Sequence, residues 1–455
     1  MEKVQFFMDS IRDIIWGIPL LFFLLGTGIY LTILLKGVQF RYLGYAIKQV
    51  FSKQKENAEG DISPFDALMT SLAGAIGTGT IVGVATAITV GGLGAIFWMW
   101  VTAFFGMATK YSESLLAVKY RELDAKGEMI GGPMQYIERG LGWKWMAALF
   151  AILGAIAAIG TGNLVQVNSI AEAVQETWAF DPWITGVVLA ALTGLVIMGG
   201  VKSIGHVAGV MVPIMAVFYI AGGLVIIAIN YQNIPAAFLS IFQSAFNGQA
   251  AMGGIAGTTV LMAIQMGVAR SVFSNEAGLG IPSIAAAAAK TDSPGRQAMI
   301  TMTGALLSTI IICTITGLVL AVTGVLGTVH TSGEAVTGAT LALRAFNTLP
   351  GGIYIVSIGL ILFAFSTVIA WAYYGEKCCE YLFGVRSVLI YRFVYTLLVI
   401  PGAALKIGIV WSFADSMNGL MVIPNLIALI GLSTIVAKET KHFLKTVSEE
   451  KENMS

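Results

Sequence analysis

The chain has 455 residues, 57% of them hydrophobic and only 11% charged, about half the charged fraction of an ordinary soluble domain. That balance describes a polytopic membrane protein, and a formal net charge of +1 without a long basic run leaves nucleic acid out as a partner. Cys313 and the adjacent Cys378 and Cys379 offer no paired framework, so free thiols are expected, and the scattered His206, His330 and His442 support neither a zinc site nor a catalytic triad.

The first apolar run, Ile14 to Leu35, is too long for a signal-peptide core and lacks an A-x-A site, so it reads as a retained span. A polar connector containing FSKQKENAEGD follows. The second run, 65 to 90, contains Leu72 to Gly83, reading LAGAIGTGTIVG, where Gly74, Gly77 and Gly79 weaken the helix at membrane depth. Backbone that leaves a helix there is tolerated only where it is buried in protein or lines a cavity, which makes this stretch a candidate binding site.

Further runs fall near 92 to 118, 146 to 174, 183 to 201 and 206 to 229. After them Phe238, Ile241, Phe242 and Phe246 recur at helical spacing, which predicts a helix lying on the outer surface or capping the bundle as a gate. The seventh run, 251 to 290, is interrupted by Gly267 to Gly280, GVARSVFSNEAGLG, with Pro282 placed to open a new helix. Runs at 298 to 325, 352 to 376, 387 to 405 and 408 to 437 bring the total to about eleven spans. The tail from Lys438 reads as charged and frayed.

Lysine and arginine alternate sides along these spans. Lys36, Arg41, Lys48, Lys53 and Lys55 follow the first; Lys119, Arg121, Lys126, Arg139 and Lys144 the third; Lys202 the fifth; Lys290 and Arg296 the seventh; Lys377 and Arg386 the ninth. Lys438, Lys441 and Lys445 follow the last, and the opposite loops are nearly bare apart from Arg344 and Lys406. The N-terminus is therefore expected outside and the C-terminus in the cytoplasm, in a multi-pass protein of the cytoplasmic membrane.

With the first span set aside, the two interrupted spans each open a set of five. Discontinuous helices at corresponding positions in two halves point to an inverted-repeat transporter with its site between them. The chain then divides into 1–61, a first repeat at 62–230, an outer helix with the second repeat at 231–437, and a tail at 438–455.

Four blocks carry a family resemblance: GGLGAIFWMWVTAFFG from Gly91 to Gly106, VFSNEAGLG from Val272 to Gly280, and GTGTIVGVATAI and GNLVQVNSIA beginning at Gly77 and Gly162. They resemble the sodium:alanine (alanine or glycine:cation) symporter family over nearly the whole chain. The resemblance implies an all-α fold of the leucine-transporter type, a five-plus-five inverted repeat preceded by one extra helix. It also implies sodium-coupled uptake of a small neutral amino acid, chiefly alanine or glycine, by alternating access, with sodium the coupling ion and no other cofactor. A proton-coupled transporter is the alternative, an ion channel a more distant one, and neither an enzymatic activity nor an obligatory protein partner is expected beyond the membrane lipid.

Gly77, Thr78 and Gly79 would turn backbone N–H groups toward a substrate carboxylate at the start of a half-helix, or merely allow close helix packing. Phe273, Ser274 and Asn275 would close the pocket, with Phe273 and Trp371 limiting side-chain volume, unless both rings are ordinary core. Gln166 would bind the carboxylate or bond between helices, and Asn163 raises the same choice. The carbonyls of Ala73 and Ile76 with the hydroxyls of Ser366 and Thr367 would cage sodium, Phe363 adding its carbonyl, because FAFST at 363 to 367 resembles the sodium-binding helix of the leucine-transporter fold. Thr80 departs from the asparagine common in the family, so one sodium is expected. Arg270 and Glu276 are candidates for an internal ion-pair gate, Glu172, Asp66 and Asp415 are expected to be solvated near span ends, and FWMW is expected only to pack.

Overall fold

The computed structural model describes residues 2–52, 58–247, 259–329, 335–405 and 407–452. Lys53, Lys55, His330, Lys406 and the first residues of the seventh run lie outside them. Helices account for every expected span. They are α1 (Glu2–Ile15), α2 (Ile18–Leu34), α3 (Pro64–Ala75), α4 (Val82–Gly91), α5 (Gly94–Lys119), α6 (Lys144–Trp178), α7 (Pro182–Ile197) and α8 (Gly200–Ile229) in the first half. The second half holds α9 (Ile234–Asn247), α10 (Val260–Asn275), α11 (Pro282–Ala287), α12 (Pro294–Val322), α13 (Gly352–Phe383), α14 (Ser387–Gly402), α15 (Ile407–Gly431) and α16 (Ser433–Glu452).

Two ends differ from expectation. The first span is a bent pair, α1 turning by 42° into α2, and α1 is an additional polar-faced helix whose Gln5 and Arg12 reach Ser412. The bend falls at Gly17–Ile18–Pro19, where proline at the helix start cannot extend the preceding ladder. The tail is helical through Glu452 rather than frayed from Lys438. Glu450 binds Arg296 at 2.5 Å and Glu439 binds Lys119 at 2.7 Å, so α16 is held to α12 and α5 by charge as well as by the buried Phe443 and Val447.

The spans segregate into two packed groups. In one, α5 lies along α10 and α12, and α4 packs on α10. In the other, α6 packs on α13 and α7 on α14, with α13 and α14 in contact. The interrupted span α3–α4 joins them, since α3 also meets α8 and α13. FWMW packs as expected: the ring of Phe97 lies 5.6 Å from that of Phe242 on α9, and Trp100 donates to Thr314. All three cysteines are free.

Candidate functional site

The first break is built by local rules. Ser63 accepts from the Asp66 N–H at 3.0 Å and Pro64 opens α3, so the helix begins firmly and runs to Ala75. Ile76 then leaves the helical region, Gly77 is extended, and one tight turn of Thr78–Thr80 precedes α4. Close approach explains two of the glycines. A Cβ on Gly77 would lie 2.4 Å from Thr367 Oγ1 and 2.8 Å from Gln166 Oε1, and one on Gly79 would lie 2.4 Å from the Phe273 ring.

Those distances show what gathers at the break. Thr78 donates its backbone N–H to Gln166 Oε1 at 3.0 Å, while Gln166 Nε2 donates to the Thr161 carbonyl at 2.9 Å. Thr161 lies in a π-helical segment, Ala158–Leu164, whose wider turn frees carbonyls that an α-helix would use. Gln166 thus bonds between helices here. The Thr78 hydroxyl is fully buried and without a partner. Thr80 closes its own turn by donating to the Gly77 carbonyl at 2.8 Å.

On α13, Thr367 Oγ1 donates to the Ala73 carbonyl at 2.8 Å and Ser366 Oγ lies 3.4 Å from the same oxygen. Both hydroxyls also reach the Phe363 carbonyl, at 3.0 and 2.8 Å. Four oxygens of the kind a hard cation takes are therefore clustered. Ile76 is buried one residue past the end of α3.

The second break follows the same logic with different chemistry. α10 ends at Asn275, Glu276 takes a left-handed conformation (φ 59°), and Pro282 opens α11. Ser274 pairs with Thr309 and Cys313, and Asn275 donates to Ser271 and Thr309, so both side chains are engaged with their own helix and α12. Phe273 stacks on Trp411 at 5.1 Å and forms a small apolar cluster with Val165, Val410 and Ala414. Trp371 lies against Gly162 and edge-on to Tyr374.

The expected Arg270–Glu276 pair does not form. Arg270 instead makes a two-pronged bond to Asp415, at 3.1 and 2.5 Å, with its guanidinium 5.0 Å from the Trp411 ring centre. Asp415 is buried, not solvated, because that pairing compensates its loss of water. Above the pair lies a cavity of about 420 Å³ lined by Arg12, Trp16, Thr86, Gln265 and Met266 as well as Arg270 and Asp415. At the other end of the bundle the segment before α3 is zipped to the segment after α11: Asp61 N–H donates to Ala288 and Lys290 N–H to Ile62, both at 2.8 Å. Arg121 locks that seam through the carbonyls of Ala287, Ala289 and Glu59.

Lys110 and Glu113 were not legible as site residues, yet both are buried on α5 facing the second break. An ionisable pair one turn apart inside an apolar helix was the signal available.

This arrangement is a membrane transporter of the leucine-transporter type. The fold resembles that of MhsT in complex with L-phenylalanine (TM-score 0.58, 15% identity, covering 85% of this chain and 99% of that one). It also resembles a manganese transporter of Eremococcus coleocola (TM-score 0.54, 13% identity, 85% and 83% covered). The chain belongs to the sodium:alanine symporter family, whose profile matches residues 1–455, and it is a transporter rather than an enzyme. It is 54% identical over 452 residues to the sodium/alanine symporter AgcS of Methanococcus maripaludis, covering 98% of each chain. It is 38% identical to a putative sodium/proton-dependent alanine carrier, YrbD, of Bacillus subtilis (94% and 90% covered) and 36% identical to a probable sodium/glutamine symporter, GlnT, of the same organism (95% and 89% covered).

Proposed function

We propose that the protein imports alanine, and with it glycine, coupled to sodium by alternating access across the cytoplasmic membrane. The observation that carries this reading is the cluster of Ala73 and Phe363 carbonyls with the Ser366 and Thr367 hydroxyls, packed against Gly77, the residue before the buried, unpartnered Thr78 hydroxyl. Sodium occupies the cluster, where the hydroxyls turn from donating to ligating and the Ile76 carbonyl completes the shell. The substrate carboxylate meets the amides of Gly77 and Gly79 and the Thr78 hydroxyl, with Gln166 holding that turn in place through the Thr78 amide. Phe273 with the adjoining Val165 limits the side chain, Trp371 walls the opposite side, and carbonyls at Ser274 and Asn275 accept from the ammonium.

The two seams act in alternation. The Arg270–Asp415 bond closes the path from the cavity on the α1 side, which the lysine and arginine distribution makes the outside, and the Arg121 seam closes the cytoplasmic path. The two packed groups, each drawing helices from both repeats at 62–230 and 231–437, move against each other around the site, with 1–61 and 438–455 as peripheral parts. Uptake of labelled alanine into proteoliposomes should require an inward sodium gradient and be competed by glycine. Uptake that persists at the same rate after the gradient is collapsed would refute sodium coupling.

A further inference from the structure

Three ionisable groups lie together beside the second break, and their charges do not sum to zero. Lys110, Glu113 and Glu276 are each 1% exposed. Glu113 Oε1 accepts from three donors, the N–H groups of Gly278 and Gly280 at 2.9 and 3.1 Å and Asn425 Nδ2 at 2.7 Å. Lys110 donates to the Asn275 carbonyl at 2.8 Å. Neither carboxylate oxygen of Glu276 has a hydrogen-bond partner. Lys110 faces both carboxylates, Glu276 the more strongly, so one positive charge stands against two negative ones and one negative charge remains uncompensated at membrane depth. Burying an unpaired carboxylate costs several kcal/mol even after relaxation, a large share of any protein's stability.

The surroundings of Glu276 suit a cation. Its Oε2 lies 3.2 Å from the point that a Gly74 side chain would occupy, and the Tyr374 hydroxyl reaches the same point at 3.2 Å. A carboxylate oxygen and a phenol oxygen therefore stand on the same side of Gly74, in space that a side chain there would crowd. Tyr374 donates its own proton to the Thr70 carbonyl at 3.2 Å, which leaves lone pairs on its oxygen for an ion. Trp371 brings its buried indole N–H to the same carboxylate, short of a well-formed hydrogen bond. The Gly74 carbonyl is 3.4 Å from Thr367 Oγ1, so the space adjoins the cluster of carbonyls and hydroxyls on α3 and α13.

We propose that Glu276 forms a second monovalent-cation site, in which its carboxylate and the Tyr374 hydroxyl hold one sodium ion or one proton against the α3 backbone at Gly74. Its role in coupling rests on the transport reading above, but the site itself stands on the buried charge. The groups that face the carboxylate are Lys110 and Glu113 from α5, Trp371 and Tyr374 from α13, and Gly74 from α3. Loading the site neutralises the group without moving Lys110 from the end of α10.

The test compares the purified full-length chain with Glu276→Gln, free of amino acid, by equilibrium binding of radioactive sodium and by potentiometric titration between about pH 5 and 9. If sodium is the occupant, the variant binds one ion fewer per chain at saturation; if a proton is, it takes up one proton fewer and binds sodium as before. Equal sodium and proton counts in the two proteins would overturn the proposal. Gly74→Ala, which crowds the same oxygens but keeps the carboxylate, is expected to lose the sodium ion or, if a proton is the occupant, to shift the pH at which that proton is taken up, and serves if Glu276→Gln fails to fold. A failure of alanine uptake would leave both counts unaffected, so the two readings fail separately.

Discussion

Gln166 on α6 accepts the backbone N–H of Thr78 at 3.0 Å, and so fixes the first break from a helix 88 residues further along the chain. A glutamine whose amide is itself anchored to the Thr161 carbonyl holds that turn in one orientation.

Gln166→Leu keeps the volume but leaves the Thr78 amide buried without an acceptor, a loss of about 1–3 kcal/mol. The expected result is a roughly 10- to 100-fold rise in the alanine concentration for half-maximal uptake. Gln166→Glu, which retains an acceptor but adds a charge facing the substrate carboxylate, should be at least as poor. Uptake kinetics of both variants in proteoliposomes check this.

Lys110 and Glu113 clamp opposite ends of the second break, one at the carbonyl end of α10 and the other at amides ahead of α11. These are the ends where a helix carries partial negative and partial positive charge. Removing either side-chain charge alone leaves buried partners unmatched, the Asn275 carbonyl or the Gly278 and Gly280 amides, and should destabilise by about 1–3 kcal/mol, whereas Lys110→Met with Glu113→Gln should cost less than the sum. Thermal melts of the two single variants and the double variant in detergent form the cycle that reads this.

The breaks themselves were legible because glycine clusters at membrane depth have few structural uses, and the proline at 282 marked where the helix resumes. Partners were not. Arg270 and Glu276 stand six residues apart across a helix end, but one points toward Asp415 on α15 and the other toward α3 and α13, a divergence set by the left-handed turn at Glu276. Lys110 and Glu113 were not legible because their role is set by the ends of α10 and α11 that they face, which lie 165 to 167 residues away in the chain. The α1 helix was not legible because Gln5, Asp9, Arg12 and Asp13 interrupt its apolar residues, although with α2 it forms one bent span.

The Arg270–Asp415 bond gives a third prediction. Asp415→Asn removes one charge of a buried pair and weakens the closure between the cavity and the site. Cys313, buried and bonded to Ser274 beneath that closure, then becomes the reporter. Its modification by a membrane-impermeant maleimide, followed by mass spectrometry, should be several-fold faster in Asp415→Asn than in the parent. An unchanged rate would show that the pair holds the fold rather than a gate.

Ser366 and Thr367 provide the last prediction, because each hydroxyl has two uses that differ in sign. In the absence of an ion both donate to carbonyls, and removing them leaves the Ala73 carbonyl at the end of α3 without that partner, whereas the Phe363 carbonyl keeps its bond within α13. With an ion present the same oxygens would act as ligands, so removing them lowers affinity. Ser366→Ala with Thr367→Val should therefore reduce stability modestly without sodium, by about 1–3 kcal/mol, and abolish most of the gain that sodium gives. Each tenfold loss of sodium affinity corresponds to about 1.4 kcal/mol, so a loss of two oxygen ligands should raise the half-saturating sodium concentration at least about tenfold. Melting temperatures across a sodium series, with choline replacing sodium to hold ionic strength, separate the two effects. A variant that melts lower but keeps the full sodium-dependent rise would restrict these hydroxyls to capping α3 and place the ion elsewhere.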